Sequence, residues 1–179
     1  VLICGAGPIG VLSMLCAKAV GAAKICIIGK LGQALLMRLD FASSFGADVT
    51  ILVDRNDDPK ALANTIVERF GEADVTLECT GAQLCTHAAL LSSRRGAKIA
   101  IVGVGPEVIS VPLCEVLFRE LDVVGSLKFK NNFPLVLYLL ESGKINVKPL
   151  ITHMFPIEEA KSALQIMVDQ KAMKILIEC

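Results

Sequence analysis

Short, β-branched apolar runs alternate with longer stretches of mixed apolar and polar positions along most of this 179-residue chain. The short runs predict strands at Val1–Cys4, Lys24–Ile28, Val49–Leu52, Val75–Glu78, Lys98–Val102 and Val123–Gly125. The longer stretches predict helices at Val11–Val20, Ala34–Phe45, Pro59–Phe70, Gln83–Leu91, Leu113–Arg119 and Phe133–Glu141. Nearly continuous apolar strands separated by helices imply a parallel sheet covered on both faces. Six strands joined by right-handed crossovers predict an α/β, doubly wound Rossmann sheet in the order 3-2-1-4-5-6. After about Lys148 the rhythm changes. Leu150–Phe155 reads as extended, Ile157–Asp169 as an amphipathic helix and Lys174–Glu178 as a last alternating strand.

The first predicted strand runs straight into Gly5-Ala6-Gly7-Pro8-Ile9-Gly10, a G-x-G-x-x-G that opens a helix. In that context the pattern predicts a dinucleotide site. Gly5 allows the tight turn, Gly7 lets the backbone approach a pyrophosphate, and Gly10 lets helix and strand pack closely. The N–H groups at the helix start would hold the phosphates. The chain is therefore expected to divide into a dinucleotide-binding domain, residues 1–148, and a tail, residues 149–179. An apolar strand such as Lys174–Glu178 needs a sheet to join, so the tail is expected to complete a domain whose remainder lies outside this segment. A glycine motif at the very first residues carries the same expectation of a longer polypeptide.

Composition narrows the class. The chain is 54% hydrophobic, and its 18 basic and 18 acidic residues leave no net charge and no basic cluster, so nucleic acid is not an expected partner. No apolar run is long enough to span a bilayer, and no secretory signal opens the chain. Seven cysteines in no C-x-x-C pair predict reduced thiols and a cytoplasmic protein. Zinc-ligand spacing is absent, so His87 and His153 are expected to be structural. Glu78 is expected to bond neighbouring backbone, Glu158 and Glu159 to favour a helix start, and Met167 and Met173 to fill core.

Four segments carry a family resemblance: Val1–Gly10 (VLICGAGPIG), Val75–Gly81 (VTLECTG), Ala97–Gly105 (AKIAIVGVG) and Asn146–Pro156 (NVKPLITHMFP). Through the terminal KILIEC, the chain resembles the C-terminal half of the zinc-dependent medium-chain dehydrogenases, in their polyol-oxidising branch. That resemblance implies NAD-linked, zinc-assisted, reversible oxidation of a polyol such as sorbitol to a ketose such as fructose. The zinc ligands would lie upstream, with no catalytic residue and no metal ligand in this chain. The resemblance assigns cofactor contacts to Gly5, Gly7, Ile9 and Gly10, to Thr80 and Gly81 (with capping of the next helix the other reading of Thr80), to Val102, Gly103 and Val104 along the nicotinamide ribose, and to Ser126, Leu127 and Lys128. Lys128 and Phe129 stand where the family carries an arginine and a tyrosine used for cofactor and substrate, and lysine lacks the planar fork of arginine. The resemblance also implies a homo-oligomer, dimer or tetramer, built on the sixth strand, here Leu121–Gly125.

One position departs from the family pattern. Where an NAD enzyme carries an acidic residue for the ribose 2′-OH, this chain has Gly29 followed by Lys30, and the stretch to Arg38 is about four residues longer. Loss of the carboxylate with Lys30 or Arg38 nearby implies NADP preference; weaker NAD binding and loss of binding are the other readings. Two further functions stay open: a short dinucleotide-binding module without catalysis, and a dehydrogenase for another secondary alcohol such as threonine.

Overall fold

The computed structural model describes residues 1–30 and 33–179, apart from the side chains of residues 33–37. The lengthening expected between Gly29 and Arg38 falls largely outside these described residues. Two compact units are present, Val1–Lys130 and Asn131–Cys179. The division read from sequence, at 148/149, lies inside the second unit.

The first unit is one parallel sheet of six strands: β1 (Leu2–Cys4), β2 (Cys26–Lys30), β3 (Val49–Val53), β4 (Ala73–Glu78), β5 (Ser93–Ile101) and β6 (Asp122–Gly125). Their order is β3-β2-β1-β4-β5-β6, the doubly wound order expected from the alternation. β1 lies at the centre, with Leu2 paired to Cys26 on one side and Thr76 on the other. Leu2, Ile3 and Cys4 are wholly buried, which is why the segment is apolar throughout. Connections run through α1 (Pro8–Ala19), α2 (Gln33–Ser44), α3 (Pro59–Phe70), α4 (Gln83–Ser92) and α5 (Leu113–Arg119). α3 illustrates the local code. Asp58 caps it, accepting from Lys60 N–H at 3.0 Å and Ala61 N–H at 2.9 Å; Pro59 opens the first turn, and Leu62, Ala63 and Ile66 face the core. Leu62 and Ile66 pack with Leu2, Cys4, Ile28, Ile51 and Ala88 in one cluster.

Three strands depart from expectation by two residues or more, among them β4, which starts at Ala73 instead of Val75. β2 starts at Cys26 and continues through Gly29 and Lys30, which pair with Leu52 and Val53 of β3. β5 starts at Ser93, because the Ser93 hydroxyl donates to Ala89 C=O at 2.7 Å and lies 3.0 Å from the Thr76 hydroxyl. Those contacts bury Ser93 at the head of a polar stretch, Arg94–Gly96, that is exposed and that periodicity alone reads as loop.

In the second unit, α6 (Phe133–Glu141) is followed by a 3-10 turn at Lys148–Leu150 and by β7 (Ile151–Pro156). A second 3-10 turn at Ile157–Glu159 leads into α7 (Ala160–Val168), so the regular helix begins three residues later than expected. β8 (Lys174–Glu178) finds a partner within the unit, pairing parallel with β7. Met173 is buried as expected, whereas Met167 is half exposed and fills no core.

Candidate dinucleotide-binding site

β1 ends at Cys4 and α1 begins at Pro8, so the chain reverses over Gly5–Gly7. Gly5 takes φ +108°, a conformation that side-chain-bearing residues rarely adopt, and its N–H donates to Ile28 C=O at 2.7 Å. A Cβ on Gly10 would sit 1.7 Å from the Gly5 carbonyl oxygen, so only glycine lets helix and turn meet there. A Cβ on Gly7 would meet only the Arg38 Nη1, at 3.9 Å. The turn is thus closed beneath Gly10 and open above Gly7. Gly7 caps α1 without a side-chain hydrogen bond, so the N–H groups of the first turn are not taken by a cap. Ile9, on that turn, is half exposed.

Arg38 reaches this opening from α2. Partial burial lowers the pKa of its guanidinium, which remains charged at neutral pH. At the end of β2, Lys30 is exposed and Gly29 is buried. A Cβ on Gly29 would lie 3.1 Å from the Ala6 Cβ and 3.1 Å from a Leu39 methyl, so the position that lacks an acidic side chain is also cramped.

The loops after β4 and β5 meet at the same carboxyl edge of the sheet. Glu78 closes β4 with no exposed surface. Its Oε1 accepts from Thr80 N–H at 2.9 Å and from the Thr80 hydroxyl; its Oε2 accepts from Gly81 N–H at 2.8 Å. The expectation that Glu78 bonds neighbouring backbone agrees with this arrangement. Val102 and Gly103 both donate their N–H groups to the Glu78 carbonyl at 2.8 Å. The two loops pack backbone against backbone: a Cβ on Gly81 would sit 2.4 Å from the Val104 carbonyl carbon, and one on Gly105 would sit 1.9 Å from the Gly81 carbonyl oxygen. Thr80 in turn touches the first loop, 3.0 Å from where a Gly5 Cβ would be. Gly105 lies outside the expected contacts; the Gly103-Val104-Gly105 spacing directly after a strand is the signal that points to it. Beside these loops a cavity of about 250 Å³ opens, lined by Ile101, Ile109, Val111, Val116 and Leu90 among others.

The remaining assigned residues follow β6. Ser126 N–H is tied to Ile101 C=O at 2.9 Å; Leu127, Lys128 and Phe129 beyond it are exposed, with Lys128 at φ +55°. Val104 is exposed as well.

The residues present suit a dinucleotide and do not suit zinc. The cradle above Gly7 is space that a Cβ would fill, and it lies beside one guanidinium. Among the described residues no group of three or more His, Cys, Asp or Glu is placed to hold a metal ion. His87 lies in α4 and His153 in β7. Burial pushes the Cys26 thiol up to about 12 and Cys79 up to about 11, and raises Cys4 and Cys85. All seven cysteines are free. Among the described residues, no helix is long and apolar enough to cross a membrane.

Comparison with known proteins agrees with this geometry. The zinc-binding dehydrogenase family profile matches residues 8–142. Sorbitol dehydrogenase of Homo sapiens is 36% identical over 180 residues, covering 100% of this chain and 49% of that protein. The chain thus spans about half the length of the curated relatives it matches. L-idonate 5-dehydrogenase of Escherichia coli superposes with a TM-score of 0.84 at 27% identity, over 99% of this chain and 49% of the other. A short chain alcohol dehydrogenase of E. coli CFT073, crystallised with NADH, gives 0.87 over 99% of this chain and 51% of the other; at 23% identity it shows the shared fold alone. The glycine turn, the sheet order and the profile match converge on one conclusion: this chain belongs to the zinc-binding dehydrogenase family.

Proposed function

We propose that this chain is the dinucleotide-binding part of an oxidoreductase that moves hydride reversibly between a polyol and NAD or NADP. The observation that carries the reading is the β1–α1 turn, closed by Gly10 and open above Gly7, beside a partly buried arginine. When bound, the nicotinamide cofactor supplies hydride transfer. The chain's own residues bind and orient it: the first-turn N–H groups of α1 hold its phosphates, and the loops at Thr80, Val102, Gly103 and Val104 carry its other half. Ile9, Ser126, Leu127 and Lys128 border it, and Lys128 and Phe129 face the polyol. Zinc, in this reading, is held by residues outside this chain, which also supply most of the substrate pocket. The cytoplasm, where thiols stay reduced, suits the seven free cysteines.

The polyol assignment is supported by full-chain similarity to sorbitol dehydrogenases. NADP preference is supported by Gly29, Lys30 and Arg38, since two cations and no carboxylate suit a 2′-phosphate. The test is to titrate the full-length protein with NADH and NADPH, then assay sorbitol and threonine with each oxidised cofactor. Sorbitol-dependent reduction, lost on chelation of zinc, is the expected result. Dinucleotide binding with no alcohol oxidised would point instead to a non-catalytic module.

A further inference from the structure

Glu78 is a fully buried carboxylate, and burying a charge is costly unless donors converge on it. Here they converge from one side only, that of the turn it begins. Its side chain holds Thr80 and Gly81, while its own carbonyl holds Val102 and Gly103. One residue therefore ties together the two loops at the carboxyl ends of β4 and β5. Gly81 sits at φ +69° with its α-carbon against the Val104–Gly105 backbone, so a shift of either loop displaces the other. The β1–α1 turn, which Thr80 also touches at Gly5, takes its hydrogen bond from elsewhere, Gly5 N–H to Ile28 C=O of β2, and its close packing from Gly10 against Gly5.

We propose that Glu78 is a positioning residue for the nicotinamide half of the dinucleotide, holding the 80–81 and 102–104 loops in their binding conformation before ligand arrives. The proposal rests on the dinucleotide reading above. In a doubly wound sheet each half binds one mononucleotide, so a latch confined to β4 and β5 acts on one half and leaves the adenosine half to β1, β2 and α1.

Glu78→Gln is the informative change. The amide oxygen still accepts from Thr80, but its NH2 then faces the Gly81 N–H, donor against donor. Binding of NADH and of ADP to the full-length protein is measured by calorimetry, alongside a thermal melt. NADH should weaken about tenfold, the loss of one hydrogen bond to a charged group, while ADP stays within about twofold. Equal weakening of both ligands, or none in a folded variant, overturns the proposal. If the variant does not fold, amide exchange in the unmodified protein decides: Thr80 and Gly81 should be protected without NADH, and fast exchange there overturns the latch. Should the unmodified protein bind neither ADP nor NADH, the dinucleotide reading itself falls, and the latch with it.

Discussion

Gly7 and Gly10 stand three positions apart in one turn, yet a methyl group added to each meets opposite surroundings. At Gly10 it collides with backbone at 1.7 Å, so Gly10→Ala should cost about 3 kcal/mol or more of stability and abolish NADH binding, as read by urea unfolding and titration. At Gly7 it meets nothing nearer than 3.9 Å and φ is an ordinary −77°, so Gly7→Ala should lose under about 1 kcal/mol. Its effect should appear in affinity instead, about tenfold weaker for NADH and NADPH, because the methyl occupies the room the pyrophosphate needs. Cofactor choice rests on neighbouring side chains. Lys30→Ala and Arg38→Ala should each weaken NADPH more than NADH, whereas Gly29→Asp should lower stability as well as NADPH affinity, since Ala6 and Leu39 crowd its Cβ. The buried thiols set a pH limit. Burial raises Cys26 to about 12 and Cys79 to about 11, from an ordinary value of 9.0. A thiol held protonated in the fold but free to ionise when unfolded stabilises fully below pH 9.0, and that stability is lost as pH rises toward the folded values. Melting temperature should therefore fall between about pH 9 and 11. Replacing Cys26 by Ala should flatten that fall.

At the scale of elements, α3 is the clearest case of sequence dictating a boundary. Asp58, Pro59 and the closing Gly71 at φ +96° mark both ends, and the observed span equals the expected one. Asp58→Ala should cost about 1 kcal/mol, measured as a shift in the urea midpoint, because it strands the N–H groups of Lys60 and Ala61. The sheet order was equally readable, since continuous apolar strands and right-handed crossovers leave few arrangements. Less readable was β5, whose Arg94-Arg95-Gly96 start looks like a loop until Ser93 is seen bonded to α4 and Thr76. The β2 boundary was misplaced because its last two residues are held by register with β3, a non-local cause. Within the candidate site, the G-x-G-x-x-G turn could be read residue by residue. The interlocking of Gly81 with Gly103 and Gly105 could not, because no spacing within one loop reports a collision with another.

Across the whole molecule, the two units differ in how fully they cover their apolar side chains. The first centres on wholly buried strands, whereas in the second Phe133, Leu135, Val136, Leu137 and Tyr138 of α6, with Leu164, Met167 and Val168 of α7, stay exposed. A surface of that kind is usually covered by another domain or chain. The sheet itself leaves a second opening. Among the described residues β6 is its last strand and pairs only with β5, and Val123 and Val124 are both exposed. An apolar edge with unpaired backbone groups invites a further strand, and a second copy of the same strand satisfies it symmetrically. The full-length protein should therefore sediment as a dimer or tetramer at micromolar concentration. Val124→Lys places a charge on that edge and should shift the boundary toward monomer while the far-ultraviolet spectrum is kept, because β6 contributes little buried surface to its own subunit. A parent protein that sediments as a single monomeric species, or a variant that assembles unchanged, would remove β6 as the interface.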